Sequence, residues 1–289
     1  MSHLFCFGLG FSARVFAARL AARGWTVTAT SRSQEGAARI TALGYRAVVF
    51  DGTAPVTSSA FDGVTHVVIS APPGDDGDPV LKQCRAEFVA RAQQFRWLAY
   101  LSTTGVYGDH GGGWVSEETP LTPNTARGER RCAAEAQWLE LWRGCGLPVH
   151  IFRLAGIYGP GRNQLLPVLD GSARRIVKEG QVFSRIHVED IAKVLEASLA
   201  RPQPGRAYNV GDDEACPPQD VVAYAAQLLA RPPPPDVPFD EATLSPMARS
   251  FYADSKRVAN DRIKTELGVK LSYPTYREGL AALARDLTR

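Results

Sequence analysis

The chain has 289 residues, 45% of them apolar and 22% charged, with a formal net charge of +3. That length supports one large domain or two, and the composition is that of an ordinary globular protein. The small charge, the lack of basic runs with interleaved aromatics, and the lack of any apolar run near ~18–20 residues argue against nucleic-acid binding and membrane spanning.

In chain order, residues 4–7 read as a short apolar strand, followed by Gly8-x-Gly10-x-x-Ala13 and a helix from near Ser12 that Gly24 closes. Further strands are predicted over 25–30, 45–50, 65–70, 97–102 and 148–154, with helices over 34–43, 79–94 and 126–143. Apolar strands alternating with helices for some 150 residues predict an α/β fold with a parallel, doubly wound sheet. The pattern then loosens. Residues 155–185 read as loop with one short helix, 189–200 as helix, 206–210 as a short strand, and 218–230 and 254–267 as helices. The expected organisation is a dinucleotide-binding domain over 1–155 and a smaller, partly helical substrate lobe over 156–289. Some elements of the second part return to the first, and the lobe is expected over the C-terminal strand edge, where open α/β sheets bind ligands.

Five scattered cysteines (Cys6, Cys84, Cys132, Cys145, Cys216) with no C-x-x-C spacing predict reduced thiols, with neither a metal site nor a disulfide framework. The N-terminus enters a strand within a few residues, so no signal or transit segment is expected, and the expected location is cytoplasmic.

The first glycine turn carries the chemistry that sequence reads best. Gly8 permits the tight turn, Gly10 lets backbone approach a pyrophosphate, and Ala13 is small enough for close helix–strand packing. With Phe11 and Ser12 they form the predicted phosphate-binding helix start. At the end of the second strand, NAD enzymes usually place an acidic residue for the ribose 2′-hydroxyl. Here the segment reads Thr30-Ser31-Arg32-Ser33. Hydroxyls with a guanidinium suit a 2′-phosphate, so NADP is expected over NAD, with Ser31 and Arg32 as its ligands. Asp51 is either a ligand of the adenine amino group or an ordinary strand-ending turn residue. Ala71 and Pro72 lie under the cofactor ribose by topology, or merely shape their turn.

The segment 101–135 bears the second group of motifs. It holds Ser102-Thr103-Thr104-Gly105-Val106-Tyr107-Gly108, Glu117-Glu118-Thr119-Pro120, and Glu135 on a helix. Later come Arg153-Leu154-Ala155-Gly156-Ile157-Tyr158-Gly159-Pro160 and His187-Val188-Glu189-Asp190. With the glycine turn, this order resembles the extended short-chain dehydrogenase/reductase family, the nucleoside-diphosphate-sugar epimerases and dehydratases. The runs ISAPPG and LSTTGVYGDHGG are similar to its atypical, YeeZ-like branch. The resemblance covers nearly the whole chain and implies a Rossmann-type fold and an oxidoreductase or epimerase acting on a small polar substrate.

One departure stands out. Where the family has Tyr-x-x-x-Lys, this chain has Arg127 and Arg131. In the family the tyrosine passes the proton and the lysine lowers its pKa and holds the nicotinamide ribose. A guanidinium stays protonated, so Arg127 cannot serve as general base. Arg131 retains donors for ribose hydroxyls, joined in the cofactor site by Ser102. Thr103 stands where the family polarises the substrate oxygen. Three explanations follow: relocated acid/base work on Tyr107, Thr104 or His110, although the resemblance also implies a packing and hydrogen-bonding role in the loop for Tyr107; an anionic substrate clamped by the two arginines; or an inactive NADP(H)-binding sensor or scaffold. Thr104, Tyr107, Arg127, Asn163 and Arg185 are the candidate substrate contacts. The resemblance assigns Arg185 to the substrate cleft and gives Arg153 either a pocket or a salt-bridge role. His110 and Asp109 lie in a glycine-rich loop that is either a lid or solvated surface. Asp190 reads as a helix N-terminal carboxylate. The helices at 79–94 and 126–143 fall where the family forms a four-helix homodimer interface. Trp138, Leu139, Leu141 and Trp142 serve that interface or the monomer core.

Overall fold

The computed structural model of the chain describes residues 2–287. The elements follow in chain order β1 (His3–Phe7), α1 (Phe11–Ala21), β2 (Thr26–Ser31), α2 (Gln34–Ala42), β3 (Arg46–Val49), β4 (His66–Ile69) and α3 (Pro79–Ala90). Next are β5 (Trp97–Thr103), β6 (Trp114–Val115), α4 (Ala126–Cys145), β7 (Val149–Leu154), β8 (Gly156–Tyr158), α5 (Leu165–Leu169), β9 (Arg175–Val177) and β10 (Arg185–His187). The chain ends with α6 (Val188–Ala200), β11 (Ala207–Val210), α7 (Pro218–Leu228), β12 (Asp236–Pro238), α8 (Pro246–Phe251), β13 (Arg257–Val258), α9 (Asp261–Thr265) and α10 (Tyr276–Leu287).

The main sheet is parallel and runs in the order β11-β7-β5-β4-β1-β2-β3. Strands β1, β4, β5 and β7 are buried on both faces, whereas β2 alternates threonine with apolar residues and the edge strand β3 is partly exposed. Phe5, Phe7, Val67, Ile69, Leu98, Tyr100, Val149 and Ile151 pack on one side with Phe61, Phe88 and Trp138. On the other side, Phe16 of α1 lies 5.8 Å from Trp97, ring centroid to centroid. The order reverses between β1 and β4, and loops leaving adjacent strands there diverge to opposite faces, opening a crevice. The glycine turn therefore leaves β1 at the switch point.

Chain contacts divide the described residues into two compact units. One comprises the chain up to Thr103 with Glu129–Arg153 and Ile191–Tyr208; the other comprises Thr104–Gly128, Leu154–Asp190 and the chain from Asn209 onward. Both are discontinuous: Ile191–Tyr208, beyond the boundary expected at residue 155, belongs to the first, and Thr104–Gly128, before it, to the second. The second unit contains three parallel two-stranded pairs, β8–β10, β9–β12 and β6–β13. Its core gathers Tyr158, Leu165, Val168, Val221, Ala225, Tyr276 and Leu280 from β8, α5, α7 and α10.

Three local expectations are corrected. The helix expected over 254–267 is confined to Asp261–Thr265, because Arg257 and Val258 pair as a strand with Trp114 and Val115. Residues 155–185 contain three short strands besides the one short helix. Asp190 does not serve the helix dipole alone: its carboxylate accepts from the Ser272 and Tyr273 N–H groups at 2.6 and 2.9 Å. Helices α8 and α10 lie outside the sequence expectations. Among the described residues no helix is long and apolar enough to cross a membrane.

Candidate functional site

The glycine turn has the backbone its residues demand. Gly8 has φ +84°, and a Cβ there would stand 3.4 Å from the Ala71 amide nitrogen, so the loop after β4 rests against it. The Gly8 N–H donates to Thr30 Oγ1 at 2.8 Å, tying the turn to the end of β2. Gly10 caps α1 in an extended conformation with no side-chain cap. No side chain of the capping residue covers the helix start, whose dipole favours an anion. Ala13 is fully buried and Ser12 nearly so. This backbone fits a dinucleotide diphosphate.

Around the end of β2 the residues diverge. Arg32 is exposed, and its guanidinium has no partner among the described residues. Ser31 is half-buried and turns its hydroxyl toward α2: a Cβ on Gly36 would fall 1.8 Å from Ser31 Oγ. Ser33 caps α2 by accepting from the Gly36 N–H at 3.2 Å. Asp51 is exposed, and its Oδ1 accepts from the Thr53 N–H at 2.9 Å and from the Thr53 hydroxyl at 2.7 Å. Those bonds hold its carboxyl below the usual range. They form an Asx turn, which accounts for Asp51 without a ligand. Ala71 is half-buried and Pro72 exposed in the loop after β4.

Ser102, near the end of β5, is buried and donates to Glu135 Oε1 at 2.5 Å. The same carboxylate receives Arg153 through Nη2 at 2.9 Å and Nε at 3.2 Å. All three residues are under 7% exposed. This is a closed, charge-assisted network inside the first unit, and Arg153 has its salt-bridge role. Thr103 ends β5, half-buried. Arg131 of α4 donates through Nη1 to the Leu101 carbonyl at 2.7 Å and the Tyr100 hydroxyl at 3.2 Å. Its guanidinium also lies 5.6 Å from the Tyr100 ring centroid. Trp138 and Leu141 of α4 are buried in the core, with Leu139 and Trp142 packed against it.

In the second unit, Tyr107 is fully buried and donates its hydroxyl to Asn209 Oδ1 at 2.7 Å. Its carbonyl accepts from the Thr122 hydroxyl at 2.7 Å and lies 3.1 Å from His110 Nε2. Asp109 accepts from the Ser255 N–H at 2.7 Å, and buried Lys256 donates to the Gly108 carbonyl at 2.7 Å. The loop read as a lid or solvated surface is thus tethered to the β13 segment. Thr104 is half-buried and Arg127 exposed; the Arg127 guanidinium lies 5.1 Å over the Phe251 ring. Asn163 clasps its own turn, donating to the Gly159 carbonyl and accepting from the Leu165 N–H, both at 3.0 Å.

Arg185 is half-buried on β10 and donates to the Phe183 carbonyl at 3.0 Å and to Cys216 Sγ at 3.2 Å. Near it sits Asp212, 3% exposed, whose Oδ2 has no partner among the described residues. Burial pushes its carboxyl up to about 8, although Arg185 pulls the other way. Asp212 and Lys256 lie outside the sequence expectations. The signals for them were the Gly211-Asp212-Asp213 run after a strand and the charged Asp254-Ser255-Lys256-Arg257 stretch, neither of which shows burial.

The structure thus brings Gly8, Gly10, Phe11, Ser12 and Ala13 together with the end of β2 in one unit. It ties Arg131 to β5 and encloses Ser102 in its ion pair. Tyr107 is held by Asn209, and Asn163 by its own turn.

The sequence profile of the NAD dependent epimerase/dehydratase family matches residues 8–211. Protein YeeZ of Escherichia coli K12 is 30% identical over 278 residues, spanning 92% of this chain and 94% of its own. A functionally unknown conserved protein from Silicibacter pomeroyi DSS shares 55% identity over the whole of both chains, with a TM-score of 0.92. dTDP-glucose 4,6-dehydratase of Bacillus anthracis, solved in complex with NAD, shares the fold at 19% identity. Its TM-score is 0.80, over 99% of this chain and 96% of its own. From the glycine turn through β11 the profile runs unbroken, and the chain belongs to the NAD dependent epimerase/dehydratase family.

Proposed function

We propose that the chain binds NADP(H) on its glycine turn and works as an oxidoreductase or epimerase on a small polar substrate, a sugar derivative or an anionic molecule, without the Tyr-x-x-x-Lys relay. The observation that carries the cofactor half is the glycine-capped N-terminus of α1 together with an exposed Arg32 and no carboxylate at the end of β2. Bound there, a nicotinamide dinucleotide supplies hydride exchange with a carbinol or carbonyl carbon. Thr103 is the hydroxyl we assign to the substrate oxygen, and Arg127 and Arg185 are the cations we assign to an anionic group on the substrate. The substrate class draws support from relatives whose names specify dTDP-glucose and UDP-sugar chemistry. Two copies pairing through α3 and α4 and residence in a reducing compartment complete the reading; the five cysteines are all free thiols.

A second reading, an NADP(H)-binding sensor or scaffold without turnover, is favoured by a specific observation. The Tyr107 hydroxyl is bound by Asn209, and Arg131 donates to the Leu101 carbonyl. Calorimetric titration with NADPH, NADP, NADH and NAD tests the cofactor half: the phosphorylated forms are expected to bind more tightly. Arg32→Ala should lose about tenfold in NADPH affinity while NADH changes little. Equal losses for both would remove Arg32 from the site. A panel of carbonyl compounds and nucleotide sugars with NADPH then separates the two readings. Turnover abolished by Thr103→Ala supports the enzyme, and tight binding with no turnover anywhere supports the sensor.

A further inference from the structure

We propose that Asp212 governs the anion affinity of Arg185: its carboxyl group, when uncharged, leaves the guanidinium to an oxyanion of the substrate, and when ionised withdraws it. The inference rests on the assignment of Arg185 to an anionic substrate group and adds a positioning residue and a pH gate to it.

Both residues lie in the second unit, Arg185 at the start of β10 and Asp212 two residues beyond β11. The backbone sets them side by side, the Asp212 N–H donating to the Arg185 carbonyl at 2.6 Å. Their side chains form no ion pair. Arg185 donates through Nη1 to the Phe183 carbonyl and to Cys216 Sγ, and no carboxylate is bonded to its guanidinium among the described residues. A carbonyl and a thiol are neutral, so the half-buried cation keeps its charge uncompensated. Asp212 is 3% exposed; its Oδ1 accepts from the Glu214 N–H at 3.3 Å, while Oδ2 is unpartnered. A buried carboxylate with so little hydrogen bonding is costly, which favours the neutral acid. The carboxyl accordingly titrates at about 8, burial outweighing the attraction of Arg185.

The neighbouring charges are committed elsewhere. Asp213 accepts from Asn260 Nδ2 and Lys264 Nζ, both at 2.6 Å, and Glu214 accepts from Arg277 Nη2 at 3.0 Å. As like charges they push the Asp212 carboxyl further up. Asp190 and Glu278, which face Tyr158, are held by the N–H groups of Ser272, Tyr273 and Thr275. Tyr158 and Cys216 face Asp212, and Tyr252 faces Arg185; burial raises all three, so they remain uncharged near neutrality. In the run Asp212-Asp213-Glu214, the second and third acids have cations in contact, and the first is buried behind a cation it does not touch. With Asp212 neutral, Arg185 meets an oxyanion as an unopposed fork. With Asp212 ionised, a carboxylate in a low-dielectric interior cancels that charge and repels the incoming anion.

The test is carbon NMR on the full-length protein, isotope-labelled in arginine and aspartate, titrated with sodium sulfate at constant ionic strength from about pH 6 to about pH 9.5. Sulfate stands in for the oxyanion because its own charge is constant over that range. Arg185→Lys identifies the Arg185 Cζ signal, and Asp212→Asn and Asp212→Ser identify the Asp212 Cγ signal. In wild type the sulfate affinity read from Arg185 Cζ is expected to fall about tenfold across the range, its midpoint coinciding with the titration of Asp212 Cγ. Both Asp212 variants should flatten that fall to within about twofold. A purely structural Asp212 would alter thermal stability and leave the sulfate profile as it is. A fall that persists in the variants, an affinity that is constant with pH in wild type, or an Asp212 Cγ signal that finishes titrating below about pH 6 overturns the gate and leaves Arg185 an anion ligand. Sulfate that moves no Arg185 signal at any pH overturns the anion role of Arg185, and the gate with it.

Discussion

Tyr107 carries two readings in the sequence, a relocated proton carrier or a packing and hydrogen-bonding residue of its loop. On a loop after β5 it reads as a relocated proton carrier, yet its hydroxyl is buried and donates to Asn209 Oδ1. A phenol in that position holds two segments of the second unit together. Tyr107→Phe is expected to destabilise the protein by about 1–3 kcal/mol, because Asn209 keeps a buried acceptor without its donor. Cofactor affinity should stay within about twofold, measured by thermal unfolding beside NADPH titration. A variant with unchanged stability but abolished turnover would return Tyr107 to proton transfer. Arg131 teaches the same lesson from the other side. Counting from Glu135 placed it at the family's lysine, while its bonds to Leu101 and Tyr100 follow from a guanidinium that reaches past where an ammonium would stop.

At the scale of elements, the join between β2 and α2 is set by close packing of two small residues. Ser31 fills the space over Gly36 so closely that any Cβ there would overlap its hydroxyl. Gly36→Ala should therefore cost about 1–3 kcal/mol through overpacking. The double variant Ser31→Ala, Gly36→Ala should recover most of that loss, since the two sites are coupled by contact. Urea midpoints of the two single variants and the double one close the cycle; additive losses would mean that the clash is relieved by backbone movement elsewhere. The β13 segment shows the limit of periodicity. Residues 254–267 carry a helical pattern, but Ser255, Lys256 and Arg257 bond the loops at 180–182, 108 and 112, and these long-range bonds hold the chain extended.

For the molecule as a whole, buried titratable groups set the pH range of stability. His66, His150 and His187 are each lowered to about 4 by burial. Between about 6.5 and 4 the unfolded chain binds more protons at these sites, so they withdraw stability as pH falls. Asp212 acts with the opposite sign. Its carboxyl is raised to about 8, so the folded state binds the extra proton, and its contribution is lost as pH rises from about 4 through 8. Asp212→Asn should match wild type only near pH 3–4, below the unfolded carboxyl's range, and exceed it in urea midpoint increasingly up to pH 8–9. A parallel pH dependence in both proteins would mean that Asp212 ionises in the folded state like an exposed carboxyl. Much of this molecule was legible in one dimension. The strand–helix alternation through residue 154, the glycine turn and the loss of Tyr-x-x-x-Lys are local patterns, and local patterns survive in a sequence because backbone geometry and side-chain chemistry act over a few residues. What only the tertiary structure decided were the long-range matters: that Ser102 is enclosed by Glu135 and Arg153, that Tyr107 binds Asn209, and that Asp212 is buried beside Arg185. Each depends on residues far apart in the chain being brought together by packing, and burial and partnership are properties of that packing rather than of any residue alone.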